Sequence, residues 1–222
     1  GGGPRGDSSQ QQSLAHLSCQ RSLEFKGKER RTLEWTQLPS LKVARCFLGA
    51  AFDPHGALVA IGGGDGMYID ASTFQSTEVL HPGSKSWKPG PSMIERRCGL
   101  GCAAHVDGKL YAIGGYGGNM LYHSSAEVLD PGSDLWMPLP SMLRRRTGLG
   151  LAWGPHGRLY AVGGTANGSI GHKTVERFDP REGKWTYCPS MTLGRAYCSA
   201  AFGASGHLYV VGGLSSPDGL IR

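Results

Sequence analysis

Four arginines recur at one place in this sequence. Arg45, Arg97, Arg146 and Arg195 each stand 16 residues before the apolar residue that precedes a Gly-Gly pair. A guanidinium presents a planar fork of donors that matches carboxylates and phosphates. Two of the four lie in denser charge, Glu95-Arg96-Arg97 and Arg144-Arg145-Arg146. Recognition of acidic groups is one chemistry such a series can perform. Pairing with Glu or with backbone carbonyls of the same unit is the other. After the second Gly-Gly pair come Tyr116, Tyr122 and His123, and the next such segment holds Thr165, Asn167 and His172. Exposed aromatics beside Arg make anchors for a partner, although loop residues of this kind also serve as solvated filler. The candidate partner-binding set is Arg97, Arg146, Arg45, Arg195, Tyr116, Tyr122, His123 and His172.

Other chemistries find little footing. The six cysteines (Cys19, Cys46, Cys98, Cys102, Cys188, Cys198) form no CxxC pair, and no Cys/His set has zinc spacing. Gly62-Gly63-Gly64-Asp65-Gly66 lacks the Lys-Ser/Thr and the helix that a phosphate-binding P-loop requires. No catalytic residue, metal or cofactor is expected. Free thiols inside apolar strand patterns fit a reducing compartment, and the expected location is the cytoplasm. No run of 18 apolar residues suggests a membrane span. The net charge is +6, of which residues 1–31 carry six Lys/Arg against three Asp/Glu, or +3. A basic segment of this kind reads as solvated, and no nucleic-acid partner is expected.

The elements that must position the arginines emerge from self-similarity. Trp35, Trp87, Trp136 and Trp185 are spaced 52, 49 and 49 residues apart, and so are the pairs Gly62-Gly63, Gly114-Gly115, Gly163-Gly164 and Gly212-Gly213. Each Trp precedes the next Gly pair by 27 residues, and Glu78, Glu127 and Glu176 each precede a Trp by nine. Between these markers each unit reads as four short strands. Strand a is small and apolar (Cys46–Ala51, Cys98–Ala103, Thr147–Ala152), and strand b runs into Gly-Gly (Ala57–Ile61, Lys109–Ile113, Arg158–Val162, His207–Val211). Strand c is Thr77–Leu80, Ala126–Leu129 and Val175–Phe178; strand d carries the Trp and ends at Pro-Ser-Met. One such sheet cannot bury its own faces, so neighbouring units must stack.

The series Lys109-Leu110-Tyr111-Ala112-Ile113-Gly114-Gly115, Glu127-Val128-Leu129-Asp130-Pro131, Trp136 and Pro140-Ser141-Met142 resembles the kelch motif in order and spacing. The likeness repeats over about residues 33–213, with departures at Gly64, at His81 before Pro82, and in the fourth unit, which shows no strand c or d. The resemblance implies an all-β fold of kelch β-propeller blades. Complete four-stranded blades are expected at about 45–93, 97–142 and 146–191, and a partial one at 195–213. Residues 1–31 are expected to be a disordered basic segment, and 32–222 the propeller region. The expected ring is incomplete, an open arc or a piece of a larger, six-bladed ring in a longer protein.

The resemblance also implies function. Kelch proteins of this appearance place Arg at the equivalent of Arg97 and Arg146 against acidic peptides of bound substrates. They work as protein-interaction modules, most often as substrate adaptors of cullin-based ubiquitin ligases, and otherwise as actin-associated scaffolds. No BTB or F-box segment lies within these 222 residues. Kelch-type enzymes exist, but no copper-ligand cluster of Tyr, His and Cys stands out. The iron pattern Glu-x3-Asp-x3-His is not met either, since two residues separate Glu127 from Asp130 and Glu176 from Asp179. An interaction module, not an enzyme, is the expectation.

Overall fold

A computed structural model describes residues 35–66, 72–216 and 219–220. The segment expected to be disordered, residues 1–31, lies outside the described residues. Unit one consists of β1 (Gly49–Phe52), β2 (Leu58–Ile61), β3 (Thr77–Leu80) and β4 (Lys88–Gly90). Unit two holds β5 (Gly101–Ala104), β6 (Leu110–Ile113), β7 (Ala126–Leu129) and β8 (Trp136–Leu139). Unit three holds β9 (Thr147–Gly154), β10 (Arg158–Thr165), β11 (Val175–Asp179) and β12 (Lys184–Cys188). Each is an antiparallel meander of four neighbouring strands. The fourth unit shows β13 (Ser199–Phe202) and β14 (Leu208–Val211) as a two-stranded sheet. A short hairpin follows, β15 (Leu214–Ser216) with β16 (Gly219–Leu220). The one helical element described is a single 3₁₀ turn, Pro155–Gly157.

Sequence explains the order of strands within each sheet. The second strands are apolar and almost wholly buried, as a central strand requires, and both neighbours pair with them. The outermost strands carry Pro89 and Pro138, which a sheet tolerates only at an edge. Innermost strands β1, β5, β9 and β13 lie side by side in that order, an arc among the described residues. Their approach is close enough that a Cβ at Gly101 would press on Leu151, and one at Gly150 on Ala200. Small residues in these strands are therefore a condition of stacking. The first strand starts three residues later than the sequence pattern indicates in units one and two, whereas in unit three it starts at Thr147 as expected, although Phe47, Gly99 and Gly148 all have positive φ.

The core lies between units. Val59, Ile61 and Met93 of unit one pack with Leu100, Leu110 and Trp136 of unit two. Ile113, Val128 and Met142 of unit two pack with Leu159, Phe178 and Trp185 of unit three. Trp87, Trp136 and Trp185 are buried wedges whose indole N–H groups each donate to a proline carbonyl of the preceding unit. Trp87 reaches Pro39 at 2.8 Å, Trp136 reaches Pro91 at 3.0 Å and Trp185 reaches Pro140 at 2.9 Å. A buried indole left without an acceptor would cost about 1–3 kcal/mol, so these bonds fix the depth of each wedge. Trp35, by contrast, is 54 % exposed.

The Gly-Gly pairs are the second joint between units. Gly63, Gly115 and Gly164 donate to the carbonyls of Arg97, Arg146 and Arg195, one unit on, at 2.8, 2.7 and 2.7 Å. Gly114 has φ of 64° and a Cβ there would fall on the Arg146 carbonyl oxygen. Glycine is thus required for backbone shape and for clearance together.

Candidate functional site

The repeated arginines turn inward. Arg97 and Arg146 have no exposed surface and Arg45 almost none. The Arg146 Nη1 donates to the carbonyls of Gly163 and Thr174, its Nη2 to Thr174 Oγ1 and Glu176, and its Nε to Glu176 at 3.1 Å. Arg97 repeats the pattern with Gly114, Ser125 and Glu127, and adds Glu95 at 2.8 Å. Arg45 repeats it with Gly62, Ser76 and Glu78. Each Glu completes the joint by accepting two backbone N–H groups, as Glu176 does from Leu143 at 2.6 Å and Arg144 at 3.1 Å.

This corrects the expectation that Arg45, Arg97 and Arg146 meet a partner. Their donors are spent on Ser/Thr-x-Glu within the same unit, and burial leaves no surface to offer. They brace the inner strand against the third strand, which is the intra-unit pairing also open from sequence. Arg195 differs, being half-buried with one side-chain hydrogen bond among the described residues, to Gly212 O at 2.7 Å.

The two histidines are likewise structural. His123 is buried, with Nε2 3.0 Å from the Arg96 carbonyl and Nδ1 3.3 Å from Glu95. His172 repeats this one unit later, with Nε2 3.2 Å from the Arg145 carbonyl. Each ring anchors the connection that leads into the next unit's inner strand. Burial, and the neighbouring guanidinium of Arg97 or Arg146, hold both imidazoles below their usual pKa. Their exposed neighbours Arg96, Arg144 and Arg145 remain on the surface.

Tyr116 and Tyr122 do come together, with ring centroids 5.1 Å apart and a backbone bridge between them. They line a cavity of about 620 Å³ at the mouth of the arc, to which all four units contribute. Phe47 and Tyr197 face each other across this mouth, ring centroids 6.3 Å apart. Both are large exposed aromatics, as is the neighbouring thioether of Met120. Sequence reading placed Phe47 inside a small apolar strand and passed over Tyr197. The signal was present: positions 47, 99, 148 and 197 are equivalent, and where units two and three have Gly, units one and four have an aromatic ring. All four have φ between 51° and 61°, and a run of backbone bonds joins them. Gly99 donates to Phe47 O at 2.8 Å, Gly148 to Gly99 O at 2.8 Å and Tyr197 to Gly148 O at 2.6 Å.

Nucleophilic chemistry has no support here. Burial pushes the Cys98 thiol up to about 11 and Cys102 to about 12, so neither is a thiolate at neutral pH. Among the described residues no three His, Cys, Asp or Glu side chains gather as a metal-binding group.

Comparison with known proteins agrees with the geometry. The kelch motif profile matches residues 96–143 and 155–192, the second and third units. The second and third units are kelch repeats. Kelch-like protein 33 of Homo sapiens is 34 % identical over 85 residues, which is 38 % of this chain and 16 % of that relative. The chain therefore spans about a sixth of the curated relative it matches. Among solved structures, one titled "Structure of YjhT" superposes with a TM-score of 0.74 over 86 % of this chain and 65 % of that one, at 17 % identity. That likeness shows the kelch propeller fold. Kelch repeats and a Kelch-like relative together support a protein-interaction module.

Proposed function

We propose that the kelch arc holds an extended segment of a protein partner at its aromatic mouth. The observation that carries this reading is the meeting of Tyr116, Tyr122, Phe47 and Tyr197 around one concave opening. Large aromatic surface left exposed in a pocket is the usual anchor of a protein contact. The exposed Arg96, Arg144 and Arg145 in the connections between units would favour acidic residues flanking the anchored side chain. The setting implied by the kelch resemblance is a substrate adaptor of a cullin-based ubiquitin ligase.

A display library of twelve-residue segments tests the site. Selected segments should share an apolar anchor beside Asp or Glu. Phe47→Gly with Tyr197→Gly, which install the residue that units two and three already carry, should remove capture without unfolding the chain. Segments that bind the variant as well as the parent would overturn the assignment.

A further inference from the structure

Units one, two and three end on the outer strands β4, β8 and β12, and their ladders make one position in each equivalent. Glu78 lies opposite Pro89, Glu127 opposite Pro138 and Glu176 opposite Tyr187. Proline leaves the pairing with the third strand intact, so the N–H of this position points away from the sheet. In units one and two the ring removes a donor that an incoming strand would need, a guard against edge association. Unit three keeps the donor. Tyr187 is 53 % exposed, and no strand lies on the outer side of β12 among the described residues. Two residues from Trp185, it projects on the face packed against unit two, so its exposure owes nothing to the fourth unit. The same unit is the basic one. Residues 146–191 hold six Lys/Arg against three Asp/Glu, or +3, whereas residues 45–93 hold three against four and residues 97–142 two against four. Glu176 and Asp179 are already paired, with Arg146 and with Arg158 and Arg181. Exposed Lys184 begins β12, and exposed Arg144 donates its N–H to Glu176, the residue opposite Tyr187.

We infer that the outer edge of β12 takes an extended acidic segment of a protein partner as an added strand. The segment's backbone pairs with the outward N–H and C=O groups of Trp185 and Tyr187, which share one parity along the strand. Its carboxylates lie between Lys184 at one end of the edge and Arg144 near the other, and attraction to the one basic unit steers the encounter. Units one and two are barred twice, by proline and by negative charge. The edge lies outside the cavity lined by Phe47 and Tyr197, so it is a site of its own.

The probe is a labelled synthetic peptide, Glu-Val-Glu-Val-Glu-Val-Glu, titrated into the 222-residue chain by fluorescence anisotropy. It should bind the parent at low salt, and its Lys-Val-Lys-Val-Lys-Val-Lys counterpart should bind about tenfold more weakly or worse. Tyr187→Pro installs the residue that units one and two already carry at this place. It should weaken the acidic peptide by about tenfold or more while leaving the urea midpoint nearly unchanged. Lys184→Glu with Arg144→Glu should weaken the acidic peptide and favour the lysine one, a reversal that partial unfolding would not produce. Phe47→Gly with Tyr197→Gly should leave the titration unchanged, which separates this edge from the mouth site. No binding by the parent, equal binding of both peptides, or binding that survives Tyr187→Pro overturns the inference. Loss of binding in the mouth variant overturns it too. A dimer in sedimentation that Tyr187→Pro dissolves would make a second copy the occupant, and would also overturn it.

Discussion

A buried arginine and its glutamate hold each of the three four-stranded units together, and removing one partner strands the other in a dry interior. Arg146 and Glu176 are both without exposed side-chain surface. Arg146→Ala or Glu176→Gln should cost about 3–5 kcal/mol, the usual penalty for an uncompensated buried charge. A urea midpoint shift of that order, with no binding-specific defect beyond it, is the expected outcome. The histidines give a pH dependence whose sign is fixed. His123 and His172 have folded pKa values below the ordinary 6.5, so the unfolded chain takes up the proton more readily. Their contribution to stability is complete above about pH 6.5 and declines as the pH falls from there through the folded values. Melting temperatures measured between pH 8 and 5 should fall at the acid end, and the double variant His123→Gln, His172→Gln should flatten that part of the curve.

At the scale of elements, the Gly-Gly joint makes a graded prediction. A Cβ at Gly163 falls on the Arg195 carbonyl oxygen, whereas a Cβ at Gly212 meets nothing within 4 Å among the described residues. Both residues have positive φ, 63° and 67°, so both substitutions carry the left-handed strain of about 1–2 kcal/mol. Gly163→Ala should therefore be clearly worse than Gly212→Ala in a thermal melt, although the local sequences are nearly the same. The strand pattern was legible because its markers are chemical necessities: Glu127 braces, Gly114 clears a carbonyl, Trp136 wedges. Strands two and three start within a residue of where sequence puts them, and β10 alone runs well past its expected end, to Thr165 rather than Val162. The site was less legible, for a physical reason. An Arg repeated every 49 residues looks alike whether it faces a ligand or a neighbouring strand, and only burial tells the two apart. Repetition marks what every unit needs; the proposed mouth site sits where units differ, as Phe47 and Tyr197 differ from Gly99 and Gly148.

Among the described residues the four units form an arc in which the outer edge of β14 has no partner, and Tyr209 and Val211 there are 56 % and 67 % exposed. Open edges with apolar side chains template association between chains. Sedimentation should show mass rising with concentration, and Tyr209→Lys with Val211→Lys should suppress it. Equal behaviour of parent and variant would place the contact elsewhere.

The backbone chain from Phe47 through Gly99 and Gly148 to Tyr197 runs in one sense, each unit donating to the one before it. The proline caps of the tryptophans and the carbonyl-to-glycine joints also repeat from unit to unit without alteration. Nothing in such a joint records how many units stand on either side. Duplication or loss of a 49-residue stretch of coding sequence would then leave every seam intact, so the number of blades can change in one genetic event while the stitching stays the same.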